Sequence, residues 1–111
     1  MINTNSLTQA RKEIQELKKS GKEVVVLARD SNFNRKILEN EDVDILIGVE
    51  FSYDNKKTSG LNEVLCKLAK KNNIKIGVDI GKINKLDKIE KARILTRVIK
   101  NIYLCRKTGA K

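Results

Sequence analysis

The residues best suited to bind a phosphate stand before a predicted helix in the middle of the chain. Lys56 and Lys57 lie in a loop, and Ser59 and Gly60 stand where that helix is expected to begin. Backbone N–H groups at a helix N-terminus attract anions, and two lysines just before it add positive charge. The sequence therefore predicts a phosphate-binding site over these four residues. The alternative is that Ser59 simply caps the helix.

A second group of basic residues is predicted on the last helix of the chain. Arg93, Arg97 and Lys100 fall on one side of that helix at 100° per residue. A stripe of one charge suits the phosphates of a nucleic acid, and it suits an acidic protein surface equally well. A face that is merely solvated is the third interpretation.

Catalytic groups are harder to find, because the chain contains no histidine. This excludes Ser–His and Cys–His nucleophiles, histidine acid–base catalysis and zinc sites of the usual Cys/His kinds. Glu50 and Asp79 follow predicted strands and are oxygen ligands of the type magnesium prefers, but hydrogen bonding is the simpler role. Cys66 and Cys105 form no CxxC motif and are predicted to be free, structural thiols. No catalytic residue, metal site or bound cofactor is predicted.

Positive charge is concentrated in the second half of the chain. Residues 1–55 contain eight Lys/Arg and ten Asp/Glu, whereas residues 56–111 contain 16 and four. This segregation indicates a polyanionic partner, either a nucleic acid or an anionic membrane surface. Only four aromatic residues are present, of which Phe51 and Tyr53 are the best placed for base stacking. A nucleic-acid partner would therefore be recognised through its phosphates and shape rather than its base sequence.

Length and composition are typical of one globular domain. The chain has 111 residues, of which 40% are apolar and 34% charged. It has no apolar run near the ~20 residues of a membrane span and no signal-peptide pattern, so a cytoplasmic protein without membrane contact is expected.

Helices and strands are predicted to alternate along the chain. Three β-branched runs are typical of buried strands: 23–28, 44–49 and 74–80. A first helix is capped by Ser6 and ends near Gly21, and a short helix covers about 35–40. A third helix follows Ser59, with its apolar face at Leu61, Val64, Leu65, Leu68 and Ala69.

The last predicted helix is capped by Asp87 and ends before Gly109. Its buried side is predicted at Ala92, Leu95, Val98, Ile99, Ile102 and Cys105. The order α-β-α-β-α-β-α predicts an α/β fold with parallel strands, and no linker divides residues 1–111. The chain is therefore expected to be one α/β unit.

Two blocks of the sequence resemble ribonuclease P protein component 3, a family of archaeal and eukaryotic ribonuclease P subunits. The first block runs from "DIL" at 44–46, through Lys56-Lys57 and "SGLN" at 59–62, to "LCKLA" at 65–69. The second comprises "KARIL" at 91–95 and "LCRKTG" at 104–109. Glu63 stands where the family often has histidine, and "EFSYDN" at 50–55 lacks a common proline.

The resemblance implies a partial TIM-like (β/α) barrel and a subunit that supports RNA catalysis. A complete barrel has eight strands in roughly 250 residues, so the three strands predicted here would form part of one. The implied partners are ribonuclease P RNA, precursor tRNA and ribonuclease P protein component 2, with Mg²⁺ serving the RNA catalyst. The expected function is therefore to bind and stabilise that RNA during removal of the 5′ leader from precursor tRNA. A metal-dependent phosphoesterase-type barrel hydrolase and a protein-only interaction module are the alternatives.

Overall fold

A three-stranded parallel sheet organises the chain. The computed structural model describes residues 1–51 and 61–110. Strands β1 (Val25–Leu27), β2 (Ile45–Ile47) and β3 (Lys75–Gly77) pair in the order β1-β2-β3, with Val26 opposite Leu46 and Leu46 opposite Ile76. Ile2 adds a single parallel bridge beside Val26 at the β1 edge. The predicted α/β class and all three predicted strands are confirmed, although each strand is shorter than its apolar run.

Helices α1 (Leu7–Lys19), α2 (Ser31–Leu38) and α3 (Glu63–Lys71) accompany these strands. Ser6 caps α1 as predicted, since its Oγ accepts the Gln9 N–H at 3.3 Å. Helix α2 begins earlier than predicted because the Asp30 carboxylate accepts the Phe33 N–H at 2.8 Å and caps it.

A short 3-10 turn (Val49–Phe51) follows β2, and two further helices follow β3: α4 (Ile80–Asn84) and α5 (Lys88–Thr108). Asp87 caps α5 by accepting the Glu90 N–H at 2.8 Å. Gly109 ends the helix in the left-handed region at φ 81°, as predicted. Helix α4 was not predicted, because its residues were assigned to the end of β3 and the following loop.

The core lies on one face of the sheet. Val26 and Leu46 are fully buried there, together with Ala10, Ile14, Ile37, Leu65 and Ala69 from the helices. The opposite sheet face carries Val25, Leu27, Ile45 and Ile47, which are only half-buried. The strands are therefore covered fully on one face alone, which corrects the prediction of strands buried on both faces.

Two predicted apolar faces are wrong in detail. Val64 of α3 is 64% exposed, whereas Leu65 and Cys66 are buried. On α5, Leu95, Ile99 and Ile102 are 42%, 68% and 50% exposed. Helix α5 instead buries Ile94, Arg97 and Asn101, which recur at helical spacing. The reason is that α5 packs against α3, α4 and the 3-10 turn with that side.

Within the described ranges, no helix is both long enough and apolar enough to cross a membrane.

Candidate nucleic-acid interface

The carboxyl ends of the three parallel strands gather charged side chains at one edge of the sheet. Arg29 and Asp30 follow β1, Glu50 lies in the turn after β2, and Asp79 follows β3. In α/β sheets this edge is where ligand-binding groups usually lie, because the loops after the strands converge there. A surface depression at this edge is lined by charged and aromatic side chains, among them Arg29, Asp30, Phe33, Phe51 and Lys82.

The carboxylates at this edge are engaged in structural hydrogen bonds. Asp30 caps α2, and Asp79 Oδ1 accepts the Lys82 N–H at 3.1 Å to cap α4. Glu50 Oε1 accepts the Asp79 N–H at 2.9 Å, which ties the segment after β2 to the segment after β3. In residues 1–51 and 61–110, no three Asp, Glu or Cys side chains cluster in a way that would hold a metal ion.

Glu50 is the most unusual group at this edge, because its side chain is completely buried. Burial raises its pKa, an effect that the hydrogen bond from Asp79 N–H partly offsets. The second carboxylate oxygen, Oε2, has no hydrogen-bond partner among the described residues. Glu50 therefore serves to hold the strand ends together rather than to contact a ligand in solution.

Arg97 does not lie on a basic surface, which contradicts its prediction as an RNA-contacting residue. It is only 5% exposed, and its Nη1 donates a hydrogen bond to the Glu50 backbone carbonyl at 3.3 Å. Its role is to join α5 to the 3-10 turn after β2. A surface phosphate cannot reach a side chain buried in this way, so the prediction for Arg97 is wrong.

The two other members of the predicted α5 stripe are exposed. Lys100 lies on the outside of the helix. Arg93 forms an ion pair with Glu90 on the same helix, and both side chains are 44% exposed. The stripe is thus divided, with Arg97 turned inward and Arg93 and Lys100 turned outward.

The predicted phosphate site at Lys56, Lys57, Ser59 and Gly60 lies outside the described residues. The helix it was assigned to begins later than predicted, since Asn62 caps α3 by accepting the Leu65 N–H at 2.9 Å. The helix start predicted at Ser59 is therefore wrong, whereas the phosphate contact predicted for Ser59 and Gly60 stays a prediction. The positive charge of Lys56 and Lys57 remains as the basis of that prediction.

A further set of exposed basic residues surrounds the last turns of α3 and α5. Glu63 of α3 forms ion pairs with Lys107 and Lys67, each at 3.5 Å. Both positive charges lower the pKa of the Glu63 carboxyl, and the Lys107 charge has the larger effect. Lys70 and Lys71 at the end of α3 and Lys75 at the start of β3 are also exposed. Cations at helix C-termini also stabilise the helix dipole, so part of this pattern is structural.

Arg29 and Lys82 are two further basic residues at the carboxyl edge of the sheet, and neither was among the predicted site residues. Lys82 Nζ lies 4.2 Å from the centroid of the Phe51 ring, a cation–π contact that covers one face of that ring. The Arg29 guanidinium donates to Asn3 Oδ1 at 2.5 Å. Arg29 and Lys82 could have been predicted from their positions just after β1 and shortly after β3, because residues that follow parallel strands lie at the carboxyl edge of the sheet.

Together these features define the class of the protein. It is an α/β chain with a parallel sheet and a basic second half, and the carboxylates at the strand ends cap helices or link neighbouring segments. No family model matches the chain. It is similar over 96% of its length to ribonuclease P protein component 3 of Methanococcus maripaludis strain C7, at 27% identity, and covers 44% of that protein. It is 35% identical over 94 residues to ribonuclease P protein component 3 of Methanosarcina barkeri, covering 38% of it.

A solved structure shows the same similarity in three dimensions. A chain of the cryo-EM structure of archaeal ribonuclease P with mature tRNA superposes on 96% of this chain with a TM-score of 0.77 and 27% identity. The match covers 45% of that longer chain. The predicted resemblance is therefore confirmed: this chain is related to ribonuclease P protein component 3, and it spans somewhat less than half the length of the relatives it matches.

Proposed function

We propose that this chain acts as a protein subunit of ribonuclease P. One observation carries the proposal: over 96% of its length the chain is similar in sequence to ribonuclease P protein component 3 and in fold to a chain of an archaeal ribonuclease P structure. The basic second half fits an RNA partner. The hydrogen bonds of Asp30, Glu50 and Asp79 fit a subunit whose carboxylates serve the fold. In this proposal the catalyst is the RNA, which uses Mg²⁺, and the partners are ribonuclease P RNA, precursor tRNA and ribonuclease P protein component 2.

We further propose that the three-stranded sheet corresponds to part of a TIM-like barrel. Parallel strands joined by helices are the repeating unit of such a barrel. The half-buried sheet face at Val25, Leu27, Ile45 and Ile47 has the apolar character of a barrel interior. Residues 1–111 act in this proposal as one α/β unit.

The contact with RNA is proposed to be made by exposed lysines and arginines of the second half. Lys56, Lys57, Arg93 and Lys100 remain as candidates, whereas Arg97 is excluded by its burial. Lys82 joins them, because it lies beside the depression at the carboxyl edge of the sheet. Such side chains bind phosphates and fix orientation without reading base sequence.

A binding competition with ribonuclease P RNA tests the proposal. The purified chain is mixed with labelled archaeal ribonuclease P RNA and challenged with an unlabelled structured RNA of the same length. We expect the chain to retain the labelled ribonuclease P RNA at a large excess of the competitor. If the competitor displaces the labelled RNA as well as unlabelled ribonuclease P RNA does, the interaction is only a general attraction between charges.

Cleavage of precursor tRNA is the second measurement. The chain alone should release no 5′ leader. Added to the RNA and the other protein subunits, it should raise the cleavage rate or lower the Mg²⁺ requirement. Leader removal by RNA-free protein would overturn the assignment of catalysis to the RNA.

A further inference from the structure

The chain is built from four consecutive strand–helix units. Ile2 takes a strand position beside β1, since its N–H donates to the Val25 carbonyl at 2.8 Å and its carbonyl accepts the Leu27 N–H at 2.9 Å. The parallel strand positions therefore lie in the order Ile2, β1, β2, β3. Each is followed along the chain by a helix: α1, α2, α3 and finally the pair α4 and α5. Four such units are half of the eight that close a (β/α) barrel.

The sheet formed by these units is open at both edges. Within residues 1–51 and 61–110, no strand pairs with the outer side of β3 or with the outer side of Ile2. An unpaired edge presents backbone N–H and C=O groups with which another strand can pair. The sheet face away from the helices carries four apolar side chains that are only half-buried: Val25, Leu27, Ile45 and Ile47. Half of a barrel leaves these same two features, the edges and the inner face, uncovered.

Helix α5, which packs beside α3, also carries an apolar stripe on its outer side. Leu95, Ile99, Ile102 and Tyr103 recur at i, i+4, i+7 and i+8, and all four are exposed. The stripe lies opposite the side of α5 that is buried in the fold. The sequence pattern predicts burial for the first three of these residues, and packing within the described part of the chain does not supply it. A contiguous exposed apolar stripe of this kind marks an interaction surface.

We propose that two copies of this chain associate about a twofold axis and complete the barrel, an inference that rests on the barrel proposed above. The β3 edge of each copy pairs with the Ile2 edge of the other, which gives eight parallel strand positions and leaves no open edge. The half-buried sheet faces become the barrel interior. The outer stripe of α5 packs against α1 of the second copy, because these are the helices next to the two edges that meet.

Length and charge both favour a second copy as the occupant. One copy covers 44% of component 3 from Methanococcus maripaludis strain C7, so two copies come close to the length of that protein. Residues 1–55 carry eight Lys/Arg against ten Asp/Glu, whereas residues 56–111 carry 16 against four. The proposed arrangement places the acidic first half of each copy beside the basic second half of the other. It thereby avoids the repulsion that two apposed basic halves would produce.

Sedimentation equilibrium of the purified 111-residue chain tests the proposal. The measurement is made at physiological ionic strength, which screens the net charge of +10 on each copy. We expect a mass of two chains at about 50 µM protein, with dissociation on dilution. A monomer at this concentration would overturn the proposal. So would a trimer or a larger species, because eight strand positions require two copies.

A matched pair of substitutions locates the contact. Ile99→Glu places a charge on the outer stripe of α5 and should raise the dissociation constant of the dimer at least about tenfold. Val64→Glu is the control, because Val64 is 64% exposed and Ile99 68% exposed, but α3 lies away from both edges. Circular dichroism verifies that both variants keep their helices. Equal dissociation constants for the two variants would contradict a contact through α5.

Amide hydrogen exchange of the wild-type chain, followed by NMR, tests the edge pairing without any substitution. Raising the protein concentration through the dissociation constant should slow exchange in β3 and in residues 1–3, while α2 stays unchanged. Slower exchange confined to other segments would overturn the arrangement. The proposed function is tested separately by the RNA competition. A monomer that still selects ribonuclease P RNA would refute the dimer alone, and a dimer that does not select it would refute the function alone.

Discussion

Replacing Arg97 by alanine should destabilise the fold, because this residue is buried at the junction of α5 and the 3-10 turn. Its guanidinium donates to the Glu50 carbonyl, and a hydrogen bond from a charged donor contributes about 1.5–3 kcal/mol. The side chain is only 5% exposed, so its aliphatic stem is lost from packing as well. We expect the free energy of unfolding to fall by about 2–4 kcal/mol.

Arg93→Ala on the same helix is the matched control. Its side chain is 44% exposed and pairs with Glu90 at the surface, a contact that contributes less than about 1 kcal/mol. Urea denaturation followed by circular dichroism compares the two variants. An Arg97→Ala chain that is unfolded in buffer agrees with the argument. An Arg97→Ala chain as stable as Arg93→Ala would refute it.

Two further substitutions test the strand edge and the start of α3. Because burial raises the pKa of Glu50, the folded state holds that proton more tightly than the unfolded state, and the associated stability is lost as pH rises. Glu50→Gln stays neutral, so its stability relative to wild type should rise by about 1–3 kcal/mol between pH ~4 and ~7, measured by urea denaturation; a pH-independent difference would contradict this. Asn62→Ala removes the cap of α3 and should cost about 1 kcal/mol, whereas Asn62→Asp should preserve stability in thermal melts. Equal melting temperatures for Asn62→Ala and wild type would show that the cap contributes nothing.

The strands and several helix ends could be predicted because local signals there agree with the fold. Three β-branched runs gave the three parallel strands, and Ser6 and Asp87 cap the helices that follow them. Gly109 ends α5 with a positive φ that other residues adopt at a cost. These features depend on a few neighbouring residues.

The orientation of α5 could not be predicted, because apolar residues occur on several sides of that helix. Periodicity alone favoured the side of Leu95 and Ile99. The structure instead buries Ile94, Arg97 and Asn101, since contacts with α3, α4 and the 3-10 turn decide which side packs. The sequence places Arg97 at the surface because it shares one side of the helix with Arg93 and Lys100, and its buried bond to the Glu50 carbonyl spans 47 positions of sequence.

The start of α3 shows a similar ambiguity. Ser59 and Asn62 are both good capping residues within four positions, and the choice of Ser59 led to the phosphate site assigned to its helix start. The cap found at Asn62 shows that the predicted helix start is wrong, whereas the phosphate contact stays a prediction based on the charge of Lys56 and Lys57. At the carboxyl edge of the sheet, Phe51 follows β2 and Lys82 follows β3, and the two side chains are in contact. This contact could not be predicted, because it depends on the register between β2 and β3.

The salt dependence of RNA binding tests the central claim most directly. Each phosphate that is neutralised releases counterions, so log affinity falls with log salt by roughly 0.7–0.9 per contact. The Lys56→Ala/Lys57→Ala variant should bind ribonuclease P RNA with a slope shallower by about one to two units. The matched Lys12→Ala/Lys18→Ala variant, which alters exposed lysines on α1 in the acidic half, should keep the wild-type slope. Equal slope changes in the two variants would contradict an RNA-binding surface located in the second half of the chain.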